Sequence, residues 1–197
     1  MELSSFSTSD AMVNQYPAFT IHPGESGATA VQRLLDMVPD VLYFRGNFGY
    51  IVNPLASDSS DYSYGTDHTL LEGRYASAAQ GVNRVQVYGD GVFSESFSWG
   101  ELAKVYDRLR QVHDLNLDTV AEVQARGEAE LRHEAIAKLT GEIRVPVNCG
   151  QELYDVIDIS DPRAGLAAAK RRVMGMDLHY STVREAQYDQ RLLLGGV

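Results

Sequence analysis

The sequence predicts an α+β fold: a small helix-plus-hairpin unit, a long connecting helix and a C-terminal antiparallel β-barrel-like domain. Three observations predict it. Apolar residues recur at helical spacing from Ala30 to Val38, ahead of two β-rich runs around a Gly/Asn turn. From Asp118 to Leu139 acids and bases pair at i,i+4 along the whole stretch. After Gly141, short alternating runs follow one another between turns, as strands of a small barrel or sandwich do. A chain of 197 residues has bulk for one domain or two small ones without metal or disulfide staples. The expected borders are 1–18, a Ser/Thr-rich arm or part of a truncated domain; 19–115, a helix-hairpin and β domain; 116–141, the connecting helix; and 142–197, the C-terminal β domain.

Order begins with the strand-like run Phe19-Thr-Ile21 and the turn His22-Pro-Gly-Glu25. Ser26 can cap a helix, because its side-chain oxygen accepts from an unpaired backbone N–H of the first turn. Ala30, Val31, Leu34, Leu35 and Val38 then keep helical spacing, and Pro39 closes the helix. Val41–Phe44 and Tyr50–Val52 flank Arg45-Gly-Asn-Phe-Gly49 and read as a hairpin. Residues 53–67 are polar and turn-rich, hence a loop, and Leu70–Ala76 reads as an edge strand. In Asn83–Tyr88 the alternation is clean: Val85 and Val87 on one face, Arg84, Gln86 and Tyr88 on the other. Gly89-Asp-Gly91 turns the chain, and residues 92–99 alternate weakly through Phe93 and Phe97. Leu102–Val112 fits helix and strand equally.

The helix at 118–139 starts on a cap from Asp118 or Thr119 and has Gly141 just past its end. Glu122/Arg126, Glu128/Arg132 and Glu134/Lys138 place the acid first, the favourable order. Its expected inner stripe is Val120, Val123, Gly127, Leu131, Ala135 and Leu139, packing on the C-terminal strands or on a neighbouring subunit, with Gly127 at the closest approach. Beyond it, Ile143–Val147 alternates, and Pro146 argues for an edge or a bulge. Asp155–Ile159, a turn over Ser160–Gly165, a long bent strand over Ala169–Tyr180 with a break at Gly175, a turn over Val183–Ala186 and a returning strand over Gln187–Leu194 complete the chain.

Lys and Arg total 17 against 27 Asp and Glu, a net charge of −10. Such a surface repels phosphate backbones and disfavours a bare anionic membrane. No run reaches the roughly 20 apolar residues of a spanning helix, and the N-terminus lacks the pattern of a signal peptide. The single cysteine, Cys149, precludes an intrachain disulfide and has no base beside it in sequence, so it reads as a small buried or turn residue. His22, His68, His113, His133 and His179 are scattered with no HExxH, which leaves a zinc hydrolase unsupported. Gly24-Glu-Ser-Gly27 has neither the lysine of a phosphate loop nor the spacing of a nucleophile elbow. The oxygen-rich stretch with Asp58, Asp61 and Asp67 has the side chains calcium favours but not the EF-hand spacing. A solvated loop with Tyr62 and Tyr64 as contact residues is the simpler reading. No catalytic, cofactor-binding or metal residue is assigned, and the expectation is a protein that is not an enzyme.

The C-terminal residues carry a resemblance. Glu152-Leu-Tyr-Asp-Val-Ile-Asp-Ile-Ser-Asp-Pro-Arg-Ala-Gly-Leu166, Lys170-Arg-Arg-Val-Met-Gly-Met176 and Gln187-Tyr-Asp-Gln-Arg-Leu-Leu-Leu-Gly-Gly196 resemble the closing β-domain of bacteriophage tail hub proteins, the baseplate-hub and tail-associated structural proteins. Asn83-Arg-Val-Gln-Val-Tyr-Gly89, the helix at 118–139 and the unit from Gly24 to Pro54 are similar to further parts of that family. The sequence departs at Glu152-Leu-Tyr-Asp155, where the family has Pro-Gly-Asp. The resemblance implies a structural component of a phage or phage-like tail, part of an oligomeric hub linking tail tube to baseplate or tip. Its implied partners are itself, as a homotrimer, and other tail or baseplate proteins, with no nucleic-acid specificity and no membrane span. Its implied place is the virion tail, after synthesis in the host cytoplasm. Two alternatives remain open: a cell-wall or glycan-acting tail module using paired carboxylates, and a small-ligand barrel with a closed apolar cavity.

Overall fold

A computed structural model describes residues 2–5, 19–38, 40–78, 81–182 and 187–197. In chain order they form β1 (Glu2–Ser5), α1 (Gly27–Leu35), β2 (Val41–Arg45), β3 (Phe48–Val52), β4 (Tyr62–Tyr64), β5 (Glu72–Ser77), β6 (Arg84–Tyr88), β7 (Phe93–Phe97), α2 (Trp99–Leu102), β8 (Leu109–His113), α3 (Val120–Lys138), β9 (Leu139–Pro146), β10 (Val156–Asp161), β11 (Leu166–Ser181) and β12 (Gln187–Gly195). This is the expected α+β class. Pro39, the turn at 183–186 and most of the 1–18 arm lie outside the described residues. Two units divide the chain: Met1–Pro54 with Gln80–Glu134, and Leu55–Ala79 with Ala135–Val197. The division cuts across the expected 19–115 domain, because β4 and β5 hydrogen-bond to C-terminal strands.

In the first unit, Ser26 caps α1 by accepting from the Thr29 N–H at 3.1 Å. β2 and β3 form the expected hairpin, and β1 adds to β3 in parallel. β6 is the centre of a three-stranded sheet, antiparallel to β7 and parallel to β8. Leu102–Val112, undecided in sequence, resolves into the end of α2, a turn and β8. Val85 and Val87 are buried with Met37, Val82, Leu117 and Val123, the last from α3. Opposite Gly127 the sheet presents Ser96 and Val87, and a Cβ on Gly127 would lie 2.6 Å from Ser96 Oγ and 3.2 Å from its Cβ. The close approach expected at Gly127 is therefore made to β6 and β7 of its own unit.

The N-terminus of α3 is a capping box. The Glu122 N–H donates to Thr119 Oγ1, and the Thr119 N–H donates to Glu122 Oε2. Val120, expected inside, is exposed. The charges of α3 take both local and tertiary partners. Arg126 is buried and pairs forward with Glu130 at 2.8 Å, Arg110 of β8 reaches Glu130 and Glu134, and Arg132 donates twice to the Pro54 carbonyl. Gly141 is no helix cap, since α3 passes directly into β9. There it lies opposite Tyr75 of β5, and a Cβ would meet the Arg74 carbonyl oxygen at 2.5 Å.

The second unit is one six-stranded sheet in the order β4-β10-β11-β12-β9-β5. Its inner face buries Tyr64, Ile143, Val145, Ile157, Ile159, Val173, Leu192 and Leu194. The sheet curls without closing: Tyr75 of β5 donates its hydroxyl to Asp161 at the end of β10, 3.3 Å away, while β4 and β5 remain the edges of the hydrogen-bonded order. β9 is interior. Pro146 is tolerated because β5 stops pairing at Arg144, before the missing N–H would matter. The stretch 53–67, expected to be a loop, contains β4, which pairs in parallel with β10. Arg172, fully buried, ties the preceding segment down through the Leu55 carbonyl and the Asp58 carboxylate, each at 2.8 Å.

Candidate assembly surface

β11 is 16 residues long, and its two neighbours do not match its length. β10 pairs with it only as far as Arg172. Beyond the bulge at Val173–Gly175, among the described residues, β12 alone accompanies it. β12 in turn pairs with β9 only from Asp189 to Leu194. The outer parts of β11 and β12 therefore form a two-stranded ribbon, a unit that is marginally stable in water by itself.

Because side chains alternate, the core-facing row of the sheet runs on along this ribbon. Met176 opposite Leu192 packs in the core; Leu178 opposite Gln190 and Tyr180 opposite Tyr188 come next. Leu178 is 63% exposed, Tyr180 68% and Tyr188 57%. The two tyrosines meet edge to face at 5.9 Å. On the other face Asp177 lies opposite Arg191 and His179 opposite Asp189, whose carboxylate also takes Arg144 at 2.9 Å. An apolar row flanked by charge is the character of a contact surface. The run Met176-x-Leu178-x-Tyr180 was visible in the sequence; that its neighbouring strands stop short was not.

The outward face of β6–β8 in the first unit is also aromatic. His113 stacks on Tyr88 at 4.8 Å and Trp99 on Phe97 at 4.6 Å, with the Arg84 guanidinium over Phe97. Arg84 holds Glu95 and Asp107, and hydrogen bonds from Gln86 and Arg84 keep the Glu95 carboxyl below the usual carboxylate range. Tyrosine, tryptophan and arginine are enriched at protein interfaces.

The residues weighed for chemistry take structural places. Asp58 pairs with Arg172, the Asp61 carboxylate accepts from the Val156 N–H, and Tyr64 is buried rather than a surface contact. Asp155 has its carboxyl pushed up to about 6 by burial. It accepts from the Gln151 amide at 2.8 Å and the Glu152 N–H at 2.7 Å, and Gln151 in turn accepts from the Tyr64 hydroxyl. The nearby concavity runs from Gly65–Leu70 to Ser160–Arg163 and includes neither Asp155 nor Asp61. Cys149 is exposed in a turn. Among the described residues no group of three or more His, Cys, Asp or Glu is placed to hold a metal, and no helix is long and apolar enough to cross a membrane.

No protein-family model and no curated protein matches the sequence. Solved structures do match. A tail protein from Neisseria meningitidis aligns over 99% of this chain and 61% of its own, with a TM-score of 0.71 at 13% identity. The 43 kDa tail protein of prophage MuSo2 from Shewanella oneidensis aligns over 89% of this chain and 54% of its own, TM-score 0.64, 12% identity. The prophage tail protein gp18 from Listeria monocytogenes aligns over 91% and 60%, TM-score 0.56, 14% identity. The fold is that of phage tail proteins, and the chain spans less than two thirds of the length of these structures.

Proposed function

We propose that this chain is a structural component of a phage or phage-like tail, and that it forms part of an oligomeric hub joining tail tube to baseplate or tip. The observation that carries the reading is the shared fold with the Neisseria meningitidis tail protein over 99% of the chain. The uncovered apolar row Leu178–Tyr180–Tyr188 supports a role in assembly. The stripe on α3 does not, because Val123 and Gly127 are spent on the protein's own strands. Its partners are further copies of itself, three in a ring, and neighbouring tail proteins; its place is the virion; its work is mechanical rather than catalytic. Sedimentation equilibrium tests this. The expected mass at micromolar concentration is three times the 21.7 kDa of one chain, and a single-chain mass across the accessible concentrations sinks the hub reading.

A further inference from the structure

We propose that the unpaired edge of β11 in one copy adds antiparallel to β5 of a second copy, joining their six-stranded sheets head to tail. Both strands carry an edge with no partner among the described residues: β5 ends the sheet order, and β11 loses β10 after Arg172. The occupant follows from charge. In the register that sets Asp177 opposite Arg74 of the second copy, His179 falls opposite its Glu72. Within each chain Asp177 already faces Arg191 and His179 faces Asp189, while Arg74 faces Glu142 and Glu72 faces Arg144. The joint thus builds a four-residue row whose charges alternate, Arg191–Asp177–Arg74–Glu142, and a second row, Asp189–His179–Glu72–Arg144, in which the imidazole lies between two carboxylates, with the last two residues of each row from the second copy. Opposite charges facing each other across strands stabilise a pair, and like charges oppose it.

The same register satisfies the backbone. Alternate residues of a strand turn their N–H and C=O to opposite sides. The Ala78 N–H donates across to the Lys138 carbonyl of β9, which leaves Gly73 and Tyr75 of β5 turned outward. Carrying the alternation through β9 and β12 turns Met176, Leu178 and Tyr180 outward on β11. Of these the register opposes Met176 to Tyr75 and Leu178 to Gly73; Tyr180 falls past the end of β5, where the Leu71 N–H already donates to the Arg144 carbonyl of β9. Met176 and Tyr75 lie on the core-facing side, and so does Leu178, which the joint covers. The glutamate and arginine offered by β5 keep their ion pairs to Arg144 and Glu142 and stay reachable, with side chains 67% and 82% exposed. Two different surfaces of one chain meet here, and a heterologous contact closes into a ring when its rotation allows. Ring closure at three copies rests on the hub reading; the pairing itself does not.

Charge exchange in the full chain tests it. By sedimentation, Asp177→Arg and Arg74→Asp should each raise the concentration for half-assembly about tenfold, and the double variant should restore most of it. The double variant leaves the intrachain faces with Arg191 and Glu142 mismatched, so recovery can come only from the contact between copies. A second pair, His179→Glu alone and with Glu72→Arg, gives the same reading if the first set folds poorly by circular dichroism. A wild-type oligomer that neither pair of substitutions alters assigns the β11 edge elsewhere and overturns this interface while the hub reading stands. A wild-type monomer overturns both.

Discussion

Asp155 is the residue whose environment makes the sharpest forecast. Burial sets its carboxyl at about 6 in the folded chain against an ordinary 3.8. The native state therefore holds this proton more tightly than the unfolded chain, and stability falls as pH rises from about 4 to about 6, then levels. Asp155→Asn should flatten that descent. An amide oxygen can still accept from Gln151 and from the Glu152 N–H. Because the group is half-buried, the gain at neutral pH is about 1 kcal/mol rather than the full value of the shift. Urea melts of both proteins between pH 4 and pH 8 check it, and an unchanged slope in the variant would assign the effect to another group. Glu95 and Asp161 work in the opposite sense. Their carboxyls are held low by hydrogen bonds, and their contribution is lost as pH falls below the ordinary carboxylate range.

At the scale of elements, α3 is decided by its fit to β7. Gly127→Leu should destabilise by about 2 kcal/mol, since Ser96 and Val87 leave no room for the side chain. Gly127→Ala should come out near neutral. Its helix propensity gain of about 1 kcal/mol is set against a Cβ 2.6 Å from Ser96 Oγ, which must rotate away, and 3.2 Å from Ser96 Cβ. Thermal melts decide, and a tolerated leucine would mean that α3 is not seated on the strand. What was legible in the sequence was local. The Ser26 cap and the alternation of β6 follow from residues a few positions apart and formed as read, and the strand read at 155–159 formed at 156–161, two residues into the expected turn. The charges along α3 were equally visible, but Arg110 lies more than a helix length away in sequence and takes Glu130 and Glu134. Spacing within one element cannot register such a competitor. The ribbon escaped for a related reason, because its exposure depends on where β10 and β9 stop rather than on anything in β11 itself.

The whole molecule is interleaved. Residues 142–197, expected to be a self-contained domain, lack β4 and β5, the segment that supplies Tyr64, Leu70 and Tyr75 to their core. That fragment should show no cooperative thermal transition, because the buried faces of β9 and β10 would meet water and their ladders would lose a side. Adding 55–79 as a separate peptide should restore one. A sharp transition for 142–197 alone, by circular dichroism, would show that the core closes without the earlier strands.

That interleaving has a consequence in time. β5 leaves the ribosome about 60 residues ahead of β9, and β4 about 90 ahead of β10. At roughly 5–20 residues per second, β5 waits about 3–12 s with no strand to receive it. A nascent segment left idle that long invites neighbouring chains on the same message to pair with it. Glu72 and Arg74 within β5, and a β4 only three residues long, are the features that keep such a segment soluble while its partners are still being made.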